Sequence, residues 1–152
     1  MPDLQSLCNE LELTWHRDIP LAAAMDIGVA GYDGQTLIVR APLASNRNLH
    51  GTAFAGSLFS ACVLTGWGVV WLALRERGLS GAIVVSDSNI HYRKAVAGEL
   101  VCRCTADADA LRTGLEQLAS GRAAFDLVCA IDAADKRAVT FTGKYVVRAQ
   151  DT

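Results

Sequence analysis

The sequence has little charge, and its charges form no cluster of one sign. Only 20% of the 152 residues are charged, the formal net charge is −2 and the pI is ≈ 5.9. Nucleic-acid-binding proteins gather Lys and Arg into a patch or stripe, so this pattern argues against nucleic acid as a partner. Because 51% of the residues are hydrophobic, we expect a single globular domain over residues 1–152.

The cysteines lack both the even number of a disulfide framework and the CxxC spacing of a zinc site. We therefore expect buried, reduced thiols and neither a metal nor another cofactor. The N-terminus also lacks the basic start and apolar segment of a secretory signal, which predicts a cytoplasmic protein. The five cysteines are Cys8, Cys62, Cys102, Cys104 and Cys129.

The first forty residues predict a helix followed by a β-hairpin. Residues 4–16 have the apolar spacing of an amphipathic helix, with Asp3 placed to cap its start and Pro20 to prevent its continuation. Two β-leaning runs then flank Asp33-Gly34, a dipeptide that suits the positive φ angles of a tight hairpin turn. An antiparallel hairpin is therefore expected here.

The segments after residue 81 predict four more strands, which brings the total to about six. Gly, Ala-Asp and Asp-Lys pairs separate these extended segments. Apolar residues alternate with more polar positions over residues 123–131. This two-residue period gives a strand one apolar face. The apolar side of such an antiparallel sheet needs a covering element.

No Asp, Glu, Lys or Arg occurs in the twenty-four residues between His50 and Arg75. An apolar run of this length is typical of a transmembrane helix, which is one interpretation. A helix that is apolar around nearly its whole circumference can instead be buried by a sheet that curves around it. Since the sheet needs cover and the helix needs burial, the sequence predicts an α+β fold with a central core helix and no membrane span.

Two stretches resemble a known family. They are "NRNLHGTAFAGSLFSACVLTGWGVV" at residues 46–70 and "RGLSGAIVVSDSNIHYRKAVAGE" at residues 77–99. The Asn-containing loop, Gly-Thr-x-Phe-x-Gly-Ser and Leu-Thr-Gly-Trp-Gly resemble the hotdog-fold thioesterase family related to the C-terminal domain of YiiD-type proteins. The resemblance covers most of the chain. It implies a curved antiparallel sheet wrapped around one long central helix. It also implies a homodimer or dimer of dimers with acyl sites between the central helices.

The start of the central helix is the first candidate site. Backbone N–H groups at Phe54, Ala55 and Gly56 would be unpaired at the positive end of the helix dipole, where a thioester oxygen gains negative charge. Ser57 and Ser60 join this substrate-binding set. Neither is assigned as a nucleophile, because no Ser-His-Asp arrangement can be built from the spacing.

Two further groups of residues could hold the rest of an acyl thioester. Arg93 and Lys94 could meet the phosphates of coenzyme A or a phosphopantetheine arm, although a solvated basic pair is the simpler interpretation. An apolar groove beyond the helix start would hold the acyl chain, unless its residues only form core. The expected groove walls are Leu58, Phe59, Val63, Leu64 and Trp67.

The general base is the missing part of the pattern. In many hotdog hydrolases an Asp or Glu lies on the central helix about two turns after its glycines, whereas residues 60–64 contain no acid. The candidate bases are Asp87 within a predicted strand and His50 before the helix. The side-chain amides of Asn46 and Asn48 could instead take a catalytic part by orienting water or a carbonyl group. The alternatives are a solvent-facing Asp87, an incidental loop histidine and an ordinary turn asparagine.

The resemblance implies an acyl-thioester hydrolase that acts on acyl-CoA or acyl carrier protein. A non-catalytic acyl-thioester-binding protein is the alternative from another class, because the helix acid is absent. A hotdog hydratase is a third interpretation, weakened because a helix acid and a convincingly placed histidine cannot both be assigned.

Overall fold

Six antiparallel strands form one sheet in residues 2–150, the part of the chain that the computed structural model describes. The strands are β1 (Gly28–Tyr32), β2 (Thr36–Ala41), β3 (Gly81–Tyr92), β4 (Leu100–Thr105), β5 (Arg122–Ala133) and β6 (Lys136–Ala149). Their order is β1-β2-β4-β5-β6-β3, so β1 and β3 are the edge strands. The hairpin at Asp33-Gly34 and the count of six strands are confirmed.

The alternation that was predicted for residues 123–131 is confirmed in β5. Its odd-numbered residues from Ala123 to Ile131 are buried, whereas the even-numbered residues between them are exposed or half-buried. Because successive side chains of a strand point to opposite faces, this pattern turns one face of the sheet to the core. The other face of β5 is the wetter one.

Four α-helices accompany the sheet: α1 (Leu4–Asp18), α2 (Pro20–Met25), α3 (Ala55–Glu76) and α4 (Ala108–Gln117). The carboxylate of Asp3 caps α1 and accepts a 3.0 Å hydrogen bond from the N–H of Ser6, as predicted. α1 ends two residues later than expected, and Ile19 is extended, as the residue before a proline tends to be. Pro20 ends α1 but also begins α2, because proline suits the first turn of a helix. α2 and α4 were not predicted.

α3 is the central helix of a hotdog fold. By length and composition it could cross a membrane, yet 72% of its most apolar window is buried inside the protein. It packs against α1 and against strands β2 to β6. The uncharged stretch therefore supplies core surface on nearly all sides, and the predicted α+β hotdog architecture is confirmed.

The cysteines behave as small apolar residues. All five are free and buried, as expected. The Sγ atoms of Cys62 on α3 and Cys102 on β4 lie 3.8 Å apart, and the Cys129 thiol donates to the Cys62 carbonyl oxygen at 3.4 Å. Contact with Cys102, together with burial, raises the pKa of Cys62. Because the pKa values of Cys62 and Cys129 are both raised, these two thiols stay protonated near neutral pH and help to pack α3 onto the sheet.

Gly66 allows Tyr145 of β6 to approach α3. Tyr145 is fully buried, and its hydroxyl donates to the Val63 carbonyl oxygen at 2.8 Å. A Cβ atom at Gly66 would overlap both the ring and the hydroxyl of Tyr145. The glycine is thus required by a close approach between helix and strand.

Replacing Gly66 with alanine is expected to lower the free energy of unfolding by ~1–3 kcal/mol, because a buried ring must move to make room. At Gly98 an added Cβ meets nothing within 4 Å, so Gly98→Ala is a matched control. Gly98→Ala should instead raise the free energy of unfolding by ~0.4–1 kcal/mol, because alanine lowers the conformational entropy of the unfolded chain. Urea denaturation of both variants measures the difference. Equal stabilities would contradict the role given to Gly66.

Candidate functional site

The start of α3 is held in place by two backbone hydrogen bonds from the chain just before it. The N–H of Phe54, the N-cap residue, was expected to be unpaired but donates to the carbonyl oxygen of Asn46 at 2.7 Å. The N–H of Ala53 donates to the carbonyl oxygen of Val96 at 2.8 Å. Phe54 has an extended backbone, with φ −66° and ψ 135°, so the helix begins abruptly at Ala55. The geometry of this helix end is therefore fixed by both neighbouring loops.

Three backbone N–H groups at this helix end have no partner within residues 2–150. They belong to Ala55, Gly56 and Ser57, and no side chain caps the helix. Its first turn carries no acidic residue that would neutralise the positive end of the dipole. Such an end can receive an oxygen that gains negative charge.

The aromatic ring of Phe54 lies against Gly56. An added Cβ would overlap the ring of Phe54. That ring is 54% exposed, so it has room to move aside. A ligand that reaches the N–H of Gly56 therefore has to pass or displace this half-exposed ring.

A pocket of ≈ 340 Å³ lies beside the start of α3, and we call it the N-terminal pocket. β3 ends here, and the hydroxyl of Tyr92 donates to the carbonyl oxygen of Ala55 at 3.1 Å. The structure thus brings the basic pair Arg93 and Lys94 to the helix start, although thirty-seven residues lie between Ala55 and Arg93 in the sequence. The pocket is lined by Asn48, Thr52, Ala55, Leu58, Tyr92, Arg93 and Lys94, among others.

Tyr92 was not among the expected site residues. Its only signal in the sequence is its position directly before Arg93-Lys94. Burial raises the pKa of Tyr92, so its hydroxyl remains a hydrogen-bond donor at neutral pH. It joins the end of the edge strand to the first turn of the central helix.

A second, apolar groove of ≈ 250 Å³ runs along α3 away from the helix start, and we call it the apolar groove. Four of the five expected wall residues line it, whereas the fifth, Leu58, lines the N-terminal pocket. Ser60 lies at the groove as well. The opposite wall comes from α2 and the residue before it, which the sequence did not reveal. The groove residues are Ile19, Leu21, Ala22, Phe59, Ser60, Val63, Leu64 and Trp67.

Asn46 has a structural task in the loop before α3. Its side chain is buried, and its Nδ2 group donates to the carbonyl oxygens of Met25 and Pro42 at 2.9 and 2.8 Å. Its Oδ1 atom is buried without a partner in the described part of the chain. Asn46 thereby joins the end of α2 to this loop. Its catalytic role stays a prediction.

Asp87 lies on the solvent side of the sheet. A β-bulge between Val85 and Asp87 interrupts the alternation of β3, so that Ser88 rather than Asp87 continues the half-buried row of Ile83 and Val85. Asp87 instead pairs in register with Lys144, which pairs in turn with Asp126 on β5. Asp87 is therefore absent from the N-terminal pocket of its own chain.

His50 lies at the tip of a short turn that borders the N-terminal pocket. The side chain of Asn48 fixes this turn by accepting from the N–H groups of His50 and Thr52, at 2.8 and 3.2 Å. Asn48 and Thr52 line the pocket, whereas His50 is exposed to solvent. The structure thus places His50 nearer than Asp87 to the helix start in sequence and in space.

Comparison with known proteins gives one family and several similar structures. The family model "Putative thioesterase (yiiD_Cterm)" matches residues 8–149. A structure described as a putative thioesterase from Shewanella oneidensis is 33% identical, covers 95% of this chain and 99% of its own, and has a TM-score of 0.83.

Two other structures extend this picture. A protein of unknown function from Chlorobaculum tepidum TLS is 30% identical over 97% of both chains, with a TM-score of 0.93. A "Probable Thioesterase" from Pseudomonas aeruginosa is 18% identical over 99% of both chains, with a TM-score of 0.81, and supports the fold alone.

Proposed function

This chain belongs to the YiiD C-terminal thioesterase family, and from that membership we propose that it hydrolyses acyl thioesters of coenzyme A or acyl carrier protein. The observation that carries the proposal is the set of free N–H groups at Ala55 and Gly56, at the end of α3 whose first residues line the N-terminal pocket and whose following turns line the apolar groove. Hydrogen-bond donors, a basic pair and an apolar groove are the three features that an acyl thioester needs.

In the proposed reaction each part of the substrate meets a matching surface. The thioester oxygen accepts from the N–H groups of Ala55 and Gly56, which stabilise its negative charge as water adds to the carbonyl carbon. The carbon–sulfur bond then breaks, the thiol leaves with a proton and the carboxylic acid remains. The acyl chain lies in the apolar groove, and Arg93 and Lys94 bind the phosphates of the carrier.

A thiol-release assay with acyl-CoAs of several chain lengths tests this function. Release of coenzyme A at a rate above the uncatalysed reaction supports it. The absence of an acid in residues 60–64 favours non-catalytic binding as the second candidate. Thermal stabilisation by acyl-CoA without any release of thiol would support that candidate and overturn hydrolysis.

The unprotected edge of the sheet supports the proposal of a homodimer. β3 is twelve residues long and, within residues 2–150, pairs only with β6, so no strand lies along its other side. Val84 on this strand is 54% exposed. Natural proteins cover, shorten or charge such an edge, because it otherwise pairs with other chains. Pairing of two β3 strands about a two-fold axis would join the sheets of two subunits.

Light scattering on the purified chain is expected to give twice the mass of the 16.2 kDa protomer, or four times for a dimer of dimers. The expected driving force is the hydrogen bonding and apolar burial of β3 against its copy. A monomer that persists at high protein concentration would contradict the edge pairing.

A further inference from the structure

Trp67 separates two cavities of different character. On one side its ring lines the apolar groove, next to Val63 and Leu64. On the other side it lines a larger cavity of ≈ 520 Å³ between α1 and the C-terminal half of α3, which we call the far cavity. Trp67 is therefore the residue that the linings of both spaces share.

The far cavity has a charged lining, unlike the apolar groove. The Arg75 side chain pairs with Glu10 at 3.3 Å and lies 4.7 Å from the centre of the Trp71 ring. Leu74 and Leu79 add apolar sections to the same wall. An alkyl chain that passed beyond Trp67 would find space there, but it would have to enter beside charged groups.

The ring of Trp67 is held in place. Its Nε1 group donates to the carbonyl oxygen of Ile83 on β3 at 3.1 Å, and the side chain is half-buried. A bond between a helix side chain and a strand backbone restricts the rotation of the indole, because another position would leave the N–H unpaired. Trp67 is thus a fixed wall rather than a mobile one.

The distance from the free N–H groups to Trp67 limits the length of the acyl chain that the apolar groove can hold. Gly56 and Trp67 are eleven residues apart on α3, which corresponds to ~16 Å along the helix axis at ~1.5 Å per residue. An extended octanoyl chain is well within that distance and a dodecanoyl chain nearly fills it, whereas an extended hexadecanoyl chain is longer. A long-chain acyl group would meet the indole before its end.

We propose that Trp67 determines the acyl chain length of this protein by closing the far end of the apolar groove. The proposal rests on the proposed function, since it assigns the acyl chain to this groove. It names the substrate class as medium-chain acyl thioesters. Removal of the indole would join the apolar groove to the far cavity and admit longer chains.

The test compares octanoyl-CoA with hexadecanoyl-CoA in the wild type, Trp67→Ala and the control Leu79→Ala, which alters only the far cavity. The wild type and Leu79→Ala are expected to prefer octanoyl-CoA in kcat/KM. Trp67→Ala should raise the hexadecanoyl-to-octanoyl ratio by at least ~10-fold, as expected if about two more CH₂ groups become buried. Trp67→Leu should give a smaller shift in the same direction, which keeps the test valid if the alanine variant is unstable.

The outcome is separable from the proposed function. Calorimetric titration with non-hydrolysable thioether analogues of the same two acyl-CoAs measures chain-length preference without any turnover. If the wild type releases no thiol, but Trp67→Ala still binds the long-chain analogue better relative to the short-chain analogue than the wild type does, hydrolysis is overturned and the role of Trp67 in chain-length selection is supported. An unchanged ratio in folded Trp67→Ala and Trp67→Leu, by either measurement, would overturn the proposal.

Discussion

Gly56→Val is expected to abolish both hydrolysis and binding of acyl-CoA while the chain still folds. The valine side chain would stand beside the free N–H groups of Ala55 and Gly56, where the thioester oxygen is proposed to lie. Loss of a single donor to such an oxygen costs ~10²–10³ in turnover, and a blocked site should lose at least that much. The fold should survive, because the side chain that crowds Gly56 is the half-exposed ring of Phe54.

Titration calorimetry with a non-hydrolysable acyl-CoA analogue measures this effect. Gly31→Val is a matched control, since an added Cβ at Gly31 meets nothing within 4 Å, and Ser45→Ala changes an exposed residue of the loop before α3. Both controls should bind as the wild type does. Phe54→Ala separates displacement of the ring from obstruction of the N–H groups, because it removes the ring alone. If folded Gly56→Val binds the analogue as tightly as the wild type does, the acyl thioester does not bind at the start of α3.

The central helix and the strands could be predicted because their signals are long. The stretch between His50 and Arg75 has no charged residue, and residues 123–131 alternate over a full strand. A hydrophobic pattern of this length is hard to satisfy in more than one way, since the helix must be buried and the strand must turn one face inward. The need to bury the helix and the need to cover the apolar face of the sheet therefore predict the same fold.

The two short helices were missed for physical reasons. α2 has only six residues, too few for a 3.6-residue period to appear, and Pro20 was interpreted as an end although it is also a beginning. α4 does carry a signal, an Asp107 cap followed by Leu111 and Leu115 four residues apart. An amphipathic helix of ten residues is marginal alone, so packing against the sheet decides whether it forms.

Only the part of the site that is formed by a continuous stretch of chain could be predicted from the sequence. The helix start is a continuous stretch of chain, whereas the approach of Arg93 to Ala55 depends on the path of β3. The face on which Asp87 lies depends on the bulge before it, since a single extra residue moves every following side chain to the opposite face. Simple alternation would have placed Asp87 beside Val85 on the helix side.

His50→Ala is expected to lower kcat by ~10²–10⁴, the usual effect of removing a general base. His50 is carried by the turn between Asn48 and Thr52, two residues that line the N-terminal pocket, so it is the candidate base that lies closer to the proposed thioester site. Asp87→Asn is expected to stay close to the wild type, because Asp87 faces solvent beside Lys144 on the other side of the sheet. The two candidate bases therefore have opposite expected outcomes.

Thiol release at saturating octanoyl-CoA distinguishes them. His91→Ala is the matched control, because His91 is also an exposed histidine but lies within β3. A base that acts only on water should lower kcat with little change in KM or in affinity for the thioether analogue, since binding does not use the proton. If His50→Ala is as active as His91→Ala, His50 is not the base. A selective loss in Asp87→Asn would instead indicate that the base reaches the site from the β3 strand of a partner subunit.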